Sequence, residues 1–359
     1  MSRRDERQVE FANKWLETKW GIIYAAPRTG KCRIAYIILK EFIVNANILI
    51  VYPDNKIKKS WEDEFKIMNY KNPNIVFTTY LSLGKHMKAW DLIICDELHT
   101  LSPNQIEVLK EFPNFKTYSN VLGLSGTISK ETAKTLLYDL KLPIVAEYSI
   151  EQAIAEGVVT DYEINVIKVN LDSVVKQNFK GKFKTEKQQF DNISWVIDKL
   201  EKEGKDSFFM KLARMRVIQN SLAKLNKTKL LLSMNSGKRI LVFTGNTTIA
   251  DKLEIPSFHS KSIDKDVFDA FASGNGNHLA VCKIGSTGKT FLPLDHVIIN
   301  FTDSNSQNLT QRINRCLGLE YSNPEKKAKI YLISSNESIE EKWVKSALSM
   351  FDNTKIKYV

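Results

Sequence analysis

No apolar run reaches the roughly eighteen residues that a membrane-spanning helix needs, so none is expected. The opening MSRRDERQVEF is charged with no apolar stretch behind it, which predicts the absence of a secretory leader. Cysteine is sparse. Cys32, Cys95, Cys282 and Cys316 are far apart and show none of the short paired spacings of zinc sites. Free thiols in a reducing compartment are the expectation, with no structural metal and a cytoplasmic location. Short-period repeats and low-complexity tracts are missing as well. Acidic residues fall short of basic ones, 41 against 52, and the net charge of +11 favours a polyanionic partner.

What is present is a chain of 359 residues, too long for one ordinary domain. Hydrophobic residues at 43% and charged residues at 26% suffice for sizeable cores. Residues 21–25, 47–52, 75–77, 92–95 and 121–124 are short, β-branched apolar runs bounded by polar residues, as buried parallel strands are. Helical patterns at 33–42 and 58–68 lie between them. This alternation predicts a doubly wound sheet that binds ligands at its carboxyl edge. The pattern changes over 152–236, where one strand (162–169) precedes lysine-rich helical sequence. Strand–helix alternation resumes after Gly237, with strands at 239–243, 279–284, 297–301 and 329–333. The expected architecture is α/β: a lobe over 1–151, a linker with helical insertion over 152–236, and a second lobe over 237–359.

Ala25-Ala26-Pro27-Arg28-Thr29-Gly30-Lys31-Cys32 follows a predicted strand and opens a predicted helix. That is the context of a phosphate-binding loop, whose backbone N–H groups cradle phosphate oxygens while the lysine adds charge. Cys32 stands where a hydroxyl usually binds Mg2+, and a soft thiol is a poor ligand for that hard ion. Either water fills the position or hydrolysis is weakened. Residues 285–290 end in Gly-Lys-Thr, but Pro293 opposes a following helix and Lys283 holds the place of a required glycine. The first loop is therefore the phosphate site.

The apolar run 92–95 leads into Asp96-Glu97-Leu98-His99. Two carboxylates at a strand's carboxyl end suit ATP hydrolysis, with Asp96 holding Mg2+ through water and Glu97 polarising the attacking water.

With these two motifs the chain resembles superfamily 2 DExH-type helicases and translocases, closest to the Swi/Snf-like and bacteriophage-type branches. The resemblance implies two RecA-like lobes. Gln8 resembles the glutamine that reads adenine. Val51-Tyr52-Pro53, with Trp61 and Glu64, and Thr78-Thr79-Tyr80 resemble segments that touch the nucleic-acid backbone. Ser125-Gly126-Thr127 resembles the motif linking hydrolysis to movement, and His99 lies between it and the ATP site. In the second lobe, 239–244, ending in Thr244, resembles motif four. Gly288 through Asn300, including Thr290, resembles motif five, and Gln311-Arg312-Ile313-Asn314-Arg315 resembles motif six. The resemblance omits only about 165–232.

For the phosphoryl charge that must be neutralised at turnover, Arg315 is the first candidate and Arg312 the second. The pattern's usual glycine and arginine are here Asn314 and Gly318, so one of these two arginines acts or turnover is slow. Lys56, Lys58 and Lys59 are expected on the nucleic-acid path together with Pro53, Thr78 and Thr79. The basic segment 176–187, with Phe179 and Phe183, is either a stacking, strand-separating element or a mobile loop kept soluble by its lysines.

The resemblance thus implies an ATP- and Mg2+-dependent DNA helicase or duplex translocase. Its DNA contacts would be independent of sequence, and a partner protein would supply any further activity. A catalytically impaired, ATP-gated binding module and an RNA helicase remain the alternatives. Compact size and resemblance together suggest a phage source, which would mean the host cytoplasm.

Overall fold

The computed structural model describes residues 2–42, 45–179, 181–262, 266–282, 291–303, 306–320, 323, 325–349 and 351–359. The chain divides into two compact units, the first ending at Thr160 and the second beginning at Asp161.

The first unit runs α1 (Arg3–Thr18), β1 (Trp20–Ala25), α2 (Lys31–Leu39), β2 (Ile48–Tyr52), α3 (Lys56–Ile67), β3 (Ile75–Thr79), β4 (Leu92–Asp96), α4 (Pro103–Lys110), α5 (Pro113–Lys116), β5 (Val121–Ser125), α6 (Lys130–Leu140), β6 (Ile144–Tyr148) and α7 (Ile150–Ala155). Its strands form one parallel sheet in the order β3-β2-β4-β5-β1-β6. β2, β4 and β5 are buried at every residue, because helices cover both faces of a parallel sheet. That double burial is why these strands read as continuous apolar runs. The order also sets β4, β5 and β1 side by side, so the chain segments leaving their carboxyl ends emerge together.

Helix α1 shows how the sequence builds one edge of that region. Ser2 and Asp5 form a reciprocal capping box at its start. Phe11, Ala12 and Trp15 bury a stripe at helical spacing, and Trp15 donates its indole N–H to Val121 O at 3.1 Å. Gln8 falls on the same stripe and is 4% exposed. A buried carboxamide among apolar neighbours needs a partner, and it finds one in the turn after β1.

The second unit runs β7 (Asp161–Val169), β8 (Gln177–Phe179), β9 (Lys182–Lys184), α8 (Glu186–Lys202), α9 (Phe208–Gln219), α10 (Leu222–Met234), β10 (Ile240–Thr244), α11 (Thr247–Lys252), β11 (Ser257–Phe258), α12 (Asp266–Ala272), β12 (His278–Cys282), β13 (His296–Ile299), α13 (Ser306–Ile313), β14 (Lys327–Ser335), α14 (Ser338–Leu348) and β15 (Ile356–Tyr358). Its main sheet is also parallel, in the order β11-β12-β10-β13-β14-β7-β15.

The division differs from the expected boundaries at 151/152 and 236/237. The strand expected inside a linker is β7, paired along its whole length with β14 from Asp161↔Lys327 to Val169↔Ser335. The helical part of the expected insertion is α8, α9 and α10, which belong to the second unit. Segment 176–187 is not a plain loop. It carries the antiparallel hairpin β8–β9 and the first turn of α8.

Helix α10 anchors that insertion through a dry ion pair. Lys224 and Glu340 of α14 have side chains with no exposure and lie in direct contact. Glu340 also accepts from Ser335 N–H and Oγ at 2.7 Å each. One turn further on, Thr228 Oγ1 accepts from the side-chain amide of Asn300 at 2.7 Å, at the carboxyl end of β13. Among the described residues no helix is long and apolar enough to cross a membrane.

Candidate functional site

The turn after β1 is shaped by backbone constraints. Gly30 has φ 89°, a left-handed value, and caps the start of α2. A Cβ there would stand 2.3 Å from Gln8 Nε2, so both the dihedral and the space require glycine. Gln8 Nε2 donates to Thr29 O at 2.8 Å, and Thr29 Oγ1 donates to Ala26 O at 2.6 Å. Pro27 and Arg28 complete the turn, with Arg28 also left-handed at φ 71°. Lys31 opens α2, so the free N–H groups of its first turn face where an anion is favoured.

Neighbouring contacts fix α1 against the end of α7. The guanidinium of Arg7 reaches Glu156, just after α7, with Nε 3.0 Å from Oε2, and Tyr148 Oη donates to the same oxygen at 2.8 Å. These contacts hold the Glu156 carboxyl down to about 2.

At the end of β4, Asp96 is 6% exposed. Its Oδ2 accepts from Trp61 Nε1 at 2.9 Å, its Oδ1 accepts from Glu97 N–H at 2.9 Å, and its carbonyl accepts from Tyr80 Oη at 2.8 Å. Burial, reinforced by the charge of Glu97, pushes the Asp96 carboxyl up to about 6, while Lys31 and the Trp61 hydrogen bond oppose the shift. Two carboxylates and one lysine in a confined space suit a divalent cation between the acids and a phosphate. Among the described residues no cluster of three or more His, Cys, Asp or Glu encloses a metal by itself, so phosphate oxygens and water must complete any ion's shell.

Glu97 has φ 49°, uncommon outside glycine, and this bends the chain sharply away from the strand. Cys32 has its thiol pushed well up by burial and by Asp96 and Glu64. It is a neutral sulfur where hydroxyl oxygen is usual.

The third strand end closes the cluster. His99 Nδ1 is 2.7 Å from Ser125 Oγ and 3.4 Å from Glu97 Oε2, and its Nε2 is 3.3 Å from Thr127 Oγ1. Ser125 Oγ donates to Thr127 O at 3.1 Å and accepts from Thr127 N–H at 3.3 Å. With its proton used, Ser125 Oγ accepts from His99 Nδ1–H, which leaves Nε2 to accept from the Thr127 hydroxyl. Burial lowers the His99 pKa and favours this neutral ring. A Cβ on Gly126 would stand 2.9 Å from Lys31 Nζ, so the lysine of the loop already lies against the Ser-Gly-Thr turn.

The first unit thus brings Gln8, Pro27–Cys32, Asp96, Glu97, His99 and Ser125–Thr127 to one edge of one sheet. Sequence reading had not given Trp61, Tyr80 and Arg7 their places in this network.

The remaining expected residues fall as follows. Pro53 is half-buried after β2, and Lys58 and Lys59 are exposed on α3, with Lys58 Nζ 3.5 Å from Glu62. The side chain of Lys56 lies outside the described residues, as do Gly288, Thr290 and the whole loop 285–290. Thr79 is half-buried, but Thr78 is 5% exposed. Thr244, expected on the nucleic-acid path, is turned inward at 4% exposure, with its hydroxyl donating to Asn246 O at 3.1 Å or Val281 O at 3.3 Å. A hydroxyl occupied by backbone carbonyls is not available to a phosphate.

Gln311 and Arg312 close α13, and Arg315 lies half-buried in the following turn. Arg312 Nη1 donates to Phe301 O at 2.8 Å and Nη2 is 3.3 Å from Asp303, so this guanidinium is engaged inside its own unit.

A glycine-capped turn, an Asp-Glu strand end and a Ser-Gly-Thr turn thus leave adjacent parallel strands of one sheet at the same edge. The family described as type III restriction enzyme, res subunit, matches residues 3–130. The chain is 24% identical over 277 residues to the DNA 3'-5' translocase XPB2 of Sulfurisphaera tokodaii, an alignment covering 68% of this chain and 61% of that relative. The helicase domain of Pyrococcus furiosus Hef is similar in structure with a TM-score of 0.50, at 14% identity, covering 97% of this chain and 99% of that one. This likeness bears out the expected fold of two RecA-like lobes. Neither relative is a phage protein, so the suggested phage source finds no support.

Proposed function

We infer that the chain is an ATP-driven DNA motor, a helicase or duplex translocase. One observation carries the reading: His99 bonds both Ser125 and Thr127 within reach of Glu97, while Lys31 lies against Gly126. The residues suited to hydrolysis and those suited to reporting it therefore form one hydrogen-bonded cluster. The similarity to a DNA translocase favours DNA over RNA as the track.

In this reading ATP binds with Gln8 beside its base and with Lys31 and the α2 amides on its phosphates. Asp96 would hold Mg2+ through water, and the ion would supply positive charge against the phosphates. Glu97 orients the attacking water and takes its proton. The His99 bridge shifts when the γ-phosphate leaves, which alters the Ser125–Thr127 turn. Arg315 takes the role of the charge-neutralising arginine during turnover, as the motif-six resemblance implies, with Arg312 the second candidate. Lys58, Lys59, Pro53 and Thr79 line the DNA path.

The test is phosphate release with and without duplex DNA, for the unaltered chain against Lys31→Ala and Glu97→Gln. DNA should stimulate the unaltered chain, and both variants should lose at least a hundred-fold, on the order of 3 kcal/mol of barrier. Equal release from all three would leave the impaired, ATP-gated binding module as the reading, motivated by Cys32 and Gly318. Stimulation by RNA alone would transfer the track to RNA.

A further inference from the structure

Residues 173–185 hold four lysines and no acidic residue. Within this stretch β8 and β9 pair as Gln177↔Lys184, Asn178↔Phe183 and Phe179↔Lys182. Cross-strand partners share a face, so Asn178 and Phe183 lie on one side and Gln177, Phe179, Lys182 and Lys184 on the other.

The two sides have different surroundings. Gln177 reaches inward, its Nε2 donating to Glu186 Oε1 at 3.3 Å, while Phe183 is 69% exposed on the opposite side. Lys176, at the same alternation as Asn178, is exposed beside it. Among the described residues no carboxylate is within ion-pair reach of Lys176, Lys182 or Lys184. By contrast, Lys187, Lys199 and Lys211 of the adjoining helices, and Lys205 between them, are each matched by an acid.

The hairpin is nonetheless held firmly. Glu186, 2% exposed, accepts from Asp172 N–H, Gln177 Nε2, Ser221 Oγ and Leu222 N–H, which joins the hairpin's base to the start of α10. A solvent-facing ring on a fixed arm, flanked by unneutralised lysines, fits a flat apolar partner that carries nearby anions. An unpaired nucleotide has both parts. A paired base offers no free face to stack upon.

We propose that the β8–β9 hairpin binds single-stranded DNA beside a duplex, with Phe183 stacking on an unpaired base while Lys176, Lys182 and Lys184 meet flanking phosphates. The proposal rests on the DNA-motor reading and names the DNA structure that the motor would engage.

The test uses the full chain and fluorescence anisotropy with a blunt duplex and the same duplex bearing a single-stranded tail, over a series of salt concentrations. Phe183→Ala should weaken binding of the tailed DNA about ten-fold and leave the blunt duplex unchanged. Lys182→Gln combined with Lys184→Gln should weaken tailed binding and flatten the slope of log affinity against log salt by about one to two. Both changes are on an exposed hairpin, and thermal melting should show the fold intact. Equal loss on both DNAs in Phe183→Ala, or no loss on either, overturns the stacking role. If the unaltered chain binds neither DNA, the DNA reading fails and this inference fails with it. If it binds both and the variants match it, the inference alone fails.

Discussion

Trp61 Nε1 donates a 2.9 Å hydrogen bond to Asp96 Oδ2, which joins helix α3 to the carboxylate best suited to Mg2+. The same helix presents Lys58 and Lys59 to solvent. One rigid element therefore links the expected DNA path and the acid at the end of β4. Trp61→Phe keeps an aromatic ring beside Phe65 and removes the N–H donor together with part of the indole's buried volume. A lost hydrogen bond to a charged group costs about 1.5–3 kcal/mol, less whatever water restores. The half-saturating Mg2+ concentration should rise roughly five-fold, with the ATP KM at saturating Mg2+ nearly unchanged. A magnesium titration of ATPase, paired with Mn2+ binding in a non-hydrolysable analogue, checks it; identical curves would exclude the role.

The raised Asp96 carboxyl gives a pH dependence with a definite sign. Since it titrates near about 6, protons compete with Mg2+ below that value. Moving from pH 7.5 to 5.5 should raise the half-saturating Mg2+ about four-fold, the factor by which the ionised fraction falls. Stability follows the opposite course. A carboxyl whose folded pKa lies above its unfolded value favours folding at low pH, and that contribution is lost as pH climbs from about 4 through 6. Asp96→Asn should therefore raise the nucleotide-free Tm at pH 7.5 and leave it nearly unchanged at pH 4. An equal rise at both pH values would show that charge is not the cause.

Cys32→Thr replaces the neutral thiol beside Lys31 with a hydroxyl at the same branch point. If direct ligation limits turnover, kcat should rise about three- to ten-fold and the Mg2+ requirement should fall. Unchanged kcat would mean that water already serves this position.

The Lys224–Glu340 pair should behave as buried ion pairs do when one partner is removed. Lys224→Met leaves Glu340 charged in a dry site and should cost about 3–5 kcal/mol, seen as a large fall in denaturation midpoint. The double change Lys224→Met with Glu340→Leu should recover much of that loss. Equal destabilisation by the single and double changes would argue against charge burial as the cause.

The parts of the fold legible in the sequence share a physical reason. β2, β4 and β5 are buried on both faces, so their composition alone marks them as strands. The phosphate loop and the Asp96–Glu97 strand end were legible because each carries its local geometry in consecutive residues. β7 was legible as a strand but not as a member of the second sheet, because its partner β14 comes far later in the chain. Edge strands such as β6, with pattern exposed–intermediate–buried–exposed–buried, carry too weak an alternation to stand out. Arg312 and Thr244 illustrate the converse limit. Motif position predicts that a side chain is polar and near a site, but not which backbone carbonyl has already claimed it.

The long pairing of β7 with β14 also bears on how the protein is made. Synthesis completes the first unit's sequence before β7 begins, so that unit can fold as it emerges. β7 then waits, the hydrogen-bonding groups of both edges unpaired, until nearly all of the second unit has been added. During that interval a neighbouring nascent chain offering a similar strand is a competitor for the same hydrogen bonds. Yield of native protein should accordingly depend on the spacing of ribosomes along the message as much as on the final stability of the sheet.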